Sequence, residues 1–222
     1  MAIFDLKKNL VFLRADKQRK QYGAYHRDPT NVAIHMVCVP ILLGTGFLFG
    51  TNTPTLPIRT HPLLTRLHLP PNLGTLAAAT YSTLYLLLSP NLAGATITPI
   101  VLSLASASNY LTSRFSKTKV NSIAVAVHVV SWILQFVGHG KYEGRKPALL
   151  DNLVQALFLA PLFVWYEALF KLGFYKELKR KVEEGVEEEV GRMREGKKGK
   201  GKKKLLGEEG GEERGYGTVG EE

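Results

Sequence analysis

Two long stretches of the chain lack any charged side chain. No Asp, Glu, Lys or Arg occurs between Thr30 and Ile58, and none occurs between Leu67 and Ser113. A helix needs about 20 mostly apolar residues to cross the hydrocarbon layer of a bilayer, and soluble domains seldom contain several uncharged runs of that length. The pattern therefore predicts an all-α integral membrane protein.

Turn and capping residues divide the apolar sequence into five helices. Asp28 is a good N-cap, and Pro29 suits the first position of a helix. A proline-rich loop follows the first helix, and Ser89-Pro90-Asn91 predicts a tight hairpin further on. Pro147 is expected to open the last helix. The predicted helices cover residues 31–50, 73–88, 92–112, 121–138 and 147–171.

The two ends of the chain differ from this apolar part. Residues 4–22 mix apolar and charged side chains, which indicates an amphipathic helix on the membrane surface or, alternatively, a solvent-exposed helix. The last 50 residues are highly charged and rich in glycine, which predicts a charged helix to about Arg194 and disorder beyond it. We thus expect a basic amphipathic segment over residues 1–28, a membrane-embedded catalytic domain of four to five helices over 29–172 and a charged tail over 173–222.

The distribution of charge predicts the orientation of the chain in the membrane. Residues 1–27 carry seven Lys and Arg but only two Asp, so the positive-inside rule places the N-terminus in the cytoplasm. The Lys-rich tract GKKGKGKKK of the tail favours the same side, whereas five spans would place the ends on opposite sides. One helix is therefore expected not to cross the membrane. It is either the helix over residues 73–88, which is short for a span, or the last helix, which polar residues interrupt.

The basic stretches near the two ends of the chain could in principle bind either lipid or nucleic acid. No aromatic interleaving and no nucleic-acid-binding module accompanies them, so the lipid bilayer is the expected partner and nucleic acid is not. Cys38 is the single cysteine, which excludes a disulfide framework and a cysteine metal cluster.

Polar residues at membrane depth are costly and mark candidate functional sites. His139 and Glu143 are four residues apart, which puts them on one helical face if the helix continues between them. His128 lies about three turns before His139 on that face, and His26 and His35 flank the start of the first helix. Imidazole and carboxylate ligands suit non-haem iron, although zinc accepts the same ligands. The alternative is that each histidine only joins helices through hydrogen bonds.

Four further polar residues lie near the start of the last helix. Asp151 and Asn152 are candidate catalytic residues that would orient the histidines, or they cap the helix and bind neighbouring helices instead. Arg145 and Lys146 would attract a substrate carboxylate, or they are anchors at the membrane interface.

Two segments carry a resemblance to a known family. The sequences YGAYHRDPTNVAIHMVCVPILL and WILQFVGHGKYEGRKPALLDNLVQALFLAPLFVWYEALFKLGF resemble the two signature blocks of the fungal 2-hydroxy-palmitate dioxygenase family. The resemblance implies a multi-pass enzyme of the endoplasmic reticulum membrane that uses Fe(II) and dioxygen. Such an enzyme shortens a 2-hydroxy fatty acid by one carbon with release of CO₂, within phytosphingosine and sphingolipid breakdown.

The resemblance also implies roles for individual residues. The histidines of the family's blocks fall on His26, His35 and His139, which are the implied iron ligands. Glu143 comes next in the motif as a ligand or a base. His128 lies outside the blocks and is a candidate metal ligand only through its place on the helix face.

A competing interpretation is a non-catalytic multi-span membrane protein of the endoplasmic reticulum whose buried polar residues are structural. Other enzyme classes find no support, because the chain contains no HExxH, GxSxG, P-loop or Rossmann motif.

Overall fold

The structure, a computed structural model, describes residues 28–144 and 153–184. All regular elements in these residues are helical, in agreement with the predicted all-α class. They are α1 Pro29–Gly50, α2 Pro62–Arg66, α3 Leu73–Leu88, α4 Leu92–Arg114, α5 Lys117–Val137, a π-helical segment Gly138–Glu143, α6 Leu153–Lys171 and α7 Lys176–Glu184. The predicted amphipathic helix over residues 4–22, the helix start at Pro147 and the tail beyond residue 184 lie outside the described residues.

Side-chain caps set the helix boundaries that the sequence predicts. The Asp28 carboxylate accepts hydrogen bonds from the backbone N–H groups of Thr30 and Asn31, and Pro29 occupies the first turn of α1. Asn72 caps α3 and Asn91 caps α4 in the same way. The structure confirms the predicted starts of α3 and α4 and the turn between them. Each capping side chain satisfies a backbone donor that the helix itself leaves free.

The end of α5 differs from the prediction. The helix predicted over residues 121–138 begins earlier, at Lys117, and continues through Glu143 as a π-helical segment. The segment ends at Gly144, whose φ of 61° lies in the left-handed region. Glycine adopts this conformation without a steric cost, so the helix stops there and not at residue 138. π-Helical turns of this kind occur frequently at functional sites.

Helices α1 and α5 pack against each other in opposite directions. At one end Asn52, just after α1, and Asn121, near the start of α5, exchange two amide hydrogen bonds of 2.9 and 3.0 Å. At the other end the start of α1 meets the π-helical segment. Helix α4 runs parallel to α1, since Thr51 donates to Thr112 and Ser108 donates to the Gly44 carbonyl. These contacts fix both ends of α1 within the bundle.

Helices α3, α4 and α6 form the apolar core together with the second half of α1. Pro161 lies within α6 and has no N–H to donate to the carbonyl of Leu157. The Tyr81 hydroxyl of α3 donates to that carbonyl at 3.2 Å, and Tyr85 donates to the next one, Phe158, at 3.0 Å. Two tyrosines thus satisfy backbone groups around the proline, as buried helices in a membrane require.

Three helices in the described residues are long and apolar enough to cross a membrane: α1, α4 and α5 with its π-helical extension. Helices α6 and α7, bent by 117° from each other, would add a fourth if they form one span. Helix α3 has 16 residues and is too short by this measure. On α5, small or polar residues such as Ala124, Ser131 and Gln135 are buried, whereas Ile123 and Ile133 are exposed. This distribution is typical of a helix that packs through small residues and faces lipid with large ones.

Candidate functional site

A buried polar cluster forms where α1 begins and α5 ends. Asn31 is fully buried, and His35 and His139 are each 4% exposed. The imidazole rings of His35 and His139 meet edge to face, with centroids 4.8 Å apart and planes inclined by 77°. The antiparallel packing of α1 and α5 thus brings two predicted metal ligands together.

A backbone contact determines which nitrogen of His35 carries the proton. Its Nδ1 lies 2.9 Å from the carbonyl oxygen of Asn31, one turn earlier in α1. A carbonyl oxygen only accepts hydrogen bonds, so Nδ1 is the protonated donor and the lone pair of the neutral ring lies on Nε2. A backbone carbonyl that orients an imidazole in this way is common behind metal-binding histidines.

Glu143 links the π-helical segment to the start of α1. Its Oε1 accepts a hydrogen bond of 2.8 Å from the backbone N–H of Asp28 and another of 3.3 Å from the Asn31 amide. The backbone of Gly138 approaches the Asn31 side chain so closely that a Cβ at this position would collide with Asn31 Oδ1. Asn31 is therefore held between His35, Glu143 and Gly138.

Asn31 was not among the residues singled out from the sequence. A signal was present, because Asn31 stands one turn before His35 in an uncharged helix, and an amide at such a depth needs a partner. Asn31 Oδ1 and Gln135 Nε2 are buried and find no hydrogen-bond partner among residues 28–144 and 153–184. Asn31 thus has a buried acceptor in the cluster, and Gln135, four residues before His139, has a buried donor.

His128 lies in a separate hydrogen-bond network. Its Nε2 accepts from the Trp132 indole N–H at 3.1 Å, and its Nδ1 lies 2.7 Å from Thr45 Oγ1. Both ring nitrogens are therefore engaged, as expected of a histidine that joins helices. His128 also precedes His139 by eleven residues, which corresponds to about 16 Å along a helix. The structure does not bring His128 to the His35–His139 pair.

Five of the predicted site residues lie outside the described residues. These are His26, Arg145, Lys146, Asp151 and Asn152. No group of three or more His, Cys, Asp or Glu side chains with metal-binding geometry occurs in the described part of the chain. The pair His35 and His139 with Glu143 nearby still fits a divalent metal chemically, because two imidazoles and a carboxylate are the donors that non-haem iron prefers.

Comparisons with known proteins agree on one family. The family model described as 2-hydroxy-palmitic acid dioxygenase Mpo1-like matches residues 12–172. The chain is 36% identical over 166 residues to 2-hydroxy-palmitic acid dioxygenase MPO1 of Saccharomyces cerevisiae, an alignment that covers 75% of this chain and 86% of the yeast protein. No solved structure is detectably similar to the chain.

Proposed function

The chain belongs to the Mpo1-like family, and from this membership we propose that it is a dioxygenase of 2-hydroxy fatty acids. The reaction would convert 2-hydroxypalmitic acid and dioxygen into pentadecanoic acid, carbon dioxide and water. These products balance the reactants in atoms and electrons, so no external reductant is needed. Among individual residues, the buried pair of His35 and His139 is the main support for the proposal, and both lie within the region that the family model matches.

We propose Fe(II) as the cofactor, and the donor set supports it. His35 would bind the metal through Nε2, because Nδ1 is committed to the Asn31 carbonyl. His139 would supply the second imidazole, and His26, which the family resemblance implies, would supply a third. When bound, Fe(II) would supply a Lewis acid for the polar end of the substrate and the redox chemistry that activates dioxygen. We leave His128 out of the proposed ligand set.

The other polar residues of the cluster would position the ligands and the substrate. Glu143 fixes the start of α1 through two hydrogen bonds, and its second carboxylate oxygen would be the base or a further ligand. The Gln135 amide N–H is suited to donate to a substrate carboxylate. We further propose Arg145 and Lys146 as cations for that carboxylate, and Asp151 and Asn152 as residues that orient the histidines.

The cellular setting is also proposed. The spanning helices and the family membership support residence in the endoplasmic reticulum membrane, where a hydrophobic substrate would reach the site from the bilayer. The basic residues 1–27 support a cytoplasmic N-terminus. The natural substrate would come from sphingolipid breakdown.

The test uses the full-length protein purified in detergent and loaded with Fe(II) without oxygen. After addition of 2-hydroxypalmitate and air, mass spectrometry should detect pentadecanoate, whereas palmitate without the 2-hydroxyl should remain unchanged. His139→Ala should abolish the product, and His128→Ala is the matched control that should retain it. No product from an iron-loaded, folded wild-type protein would reject the proposed substrate. Product from His139→Ala would reject the proposed site.

A further inference from the structure

An apolar groove lies between α1, α3 and α6. It has a volume of about 580 Å³, and its lining includes Gly46 and Phe49 of α1, Leu76 and Ala77 of α3, and Phe158 of α6. Only two lining residues carry polar side-chain groups, Thr80 and Tyr81, and the Tyr81 hydroxyl already donates to a backbone carbonyl. A groove of this composition suits an alkyl chain and not a polar ligand.

Helical spacing places Gly46, where the groove begins on α1, on the same face of this helix as His35. Gly46 follows His35 by eleven residues, which is about three helical turns and about 16 Å along the axis. Val39 and Leu42 lie between them on that stripe, and both are apolar. The acyl chains of one leaflet fill half of a hydrocarbon layer about 30 Å thick, so the distance matches the reach of one long acyl chain.

Gly46 has no packing reason to be a glycine. A Cβ built there meets no atom within 4 Å, whereas one at Gly50 would collide with the backbone of Gly74. Glycine in the interior of a helix is less favourable than alanine, so its presence calls for a reason other than helix stability. Gly46 is the groove-lining residue of α1 nearest to His35, and its missing side chain leaves that end of the groove open.

We propose that this groove binds the distal part of the acyl chain of the 2-hydroxy acid, with the carboxyl end at the His35–His139 pair and the methyl end past Gly46, inside the groove. Gly46 is then a specificity-determining residue, because a larger side chain at this position would close the groove to long acyl chains. This inference rests on the proposed function, because it assigns the reacting end of the substrate to that site.

The first test fills the groove. Gly46→Leu should lower kcat/KM for 2-hydroxypalmitate at least tenfold while leaving a ten-carbon 2-hydroxy acid within twofold of wild type. Val37→Leu is the matched control, since Val37 is 61% exposed on the same helix and away from the groove. Its chain-length profile should equal that of the wild type. An equal loss for both chain lengths in Gly46→Leu, or no loss for either, would overturn the proposal.

The second test does not depend on turnover. Metal-free, full-length protein in detergent is irradiated with 2-hydroxypalmitate that carries a diazirine at its terminal carbon, and the labelled residues are mapped by mass spectrometry. Label should fall on Leu76, Ala77 and Phe158 and should be lost from these residues in Gly46→Leu. Label that is spread over exposed α5 positions such as Ile123, and that Gly46→Leu leaves unchanged, would overturn the acyl groove. Groove labelling in a protein without activity would support the acyl site and reject only the proposed reaction.

Discussion

His35 and His139 meet edge to face with their ring centroids 4.8 Å apart, although one lies near the start of α1 and the other in the π-helical segment after α5. The contact exists because α1 and α5 are antiparallel and locked at their far end by the Asn52–Asn121 amide pair. Two imidazoles buried side by side in an apolar bundle are costly unless both bind partners. The contact brings the two histidines proposed as metal ligands to one point of the bundle.

A metal-binding assay should distinguish the alanine variants of His35 and His139 from that of His128 by their affinity for Fe(II). His35→Ala and His139→Ala should weaken Fe(II) binding by more than the factor of about 10–100 that the loss of a merely orienting residue produces. His128→Ala should keep the affinity of the wild type, because its ring nitrogens are engaged with Thr45 and Trp132. The measurement is iron retained by desalted protein over a range of Fe(II) concentrations.

Helix content and elution volume in detergent serve as the control for this comparison. His128→Ala should lower the free energy of unfolding by about 1–3 kcal/mol, since it leaves the Trp132 N–H without its acceptor. Loss of iron from His128→Ala in a folded protein would contradict the separation of the two networks.

Alanine substitutions at Gly138 and Gly140 can be compared directly, because both glycines lie in the π-helical segment. A Cβ at Gly138 would collide with Asn31 Oδ1, whereas one at Gly140 meets no atom within 4 Å. Gly138→Ala should displace the Asn31 side chain, which is bonded to Glu143, and lower kcat by at least tenfold, since small misplacements of catalytic groups are costly. Gly140→Ala should leave kcat within twofold. Equal activities of the two variants would show that the Asn31 contact does not matter for the reaction.

The sequence predicted the helices well because their boundaries depend on local chemistry. Asp28, Asn72 and Asn91 cap helices through hydrogen bonds to residues two or three positions away, and such signals are visible in any short window. The continuation of α5 to Glu143 was missed, because Glu143 is held by Asp28 and Asn31 from the other end of the domain. A local pattern contains no information about such a contact.

The sequence predicted the residue types of the candidate site, but it did not predict which of these residues lie together. Helical spacing placed His128 and His139 on one face, yet a shared face does not remove the rise of about 16 Å between them. Asn31 became visible as part of the site only through its contacts to His35, Glu143 and Gly138. The groove required the packing of three helices and had no counterpart in any single segment.

Glu143 combines a structural and a chemical role that two substitutions can separate. Glu143→Gln keeps a side-chain oxygen that can accept from the Asp28 N–H, so stability should stay within about 0.5 kcal/mol of wild type. Glu143→Ala leaves that donor without its acceptor and should cost about 1–3 kcal/mol. If the carboxylate is also a base or a ligand, both variants should lose activity at least tenfold. Full activity in Glu143→Gln would restrict Glu143 to fixing the start of α1.

Helices α1 and α3 cross closely at Gly50, so the stability of the protein should be sensitive to a single methyl group added at this position. A Cβ at Gly50 would lie 2.7 Å from Gly74 Cα, whereas one at Gly44 would sit 3.6 Å from Leu104 Cδ2, an ordinary contact. Gly50→Ala should therefore force the two helices apart and cost about 1–3 kcal/mol. Gly44→Ala should be neutral or stabilising by up to about 1 kcal/mol, because alanine is the better helix former.

Unfolding in mixed micelles with increasing denaturing detergent measures both glycine variants against wild type. Because Gly50 also lines the groove, activity should be compared only under conditions where Gly50→Ala is fully folded. Displacement of α1 from α3 would distort the acyl site, so kcat/KM should fall more for the long-chain substrate than for the ten-carbon one. A Gly50→Ala protein as stable as Gly44→Ala would mean that α3 shifts freely against α1, and the groove between these helices would then lack the fixed shape that chain-length selection requires.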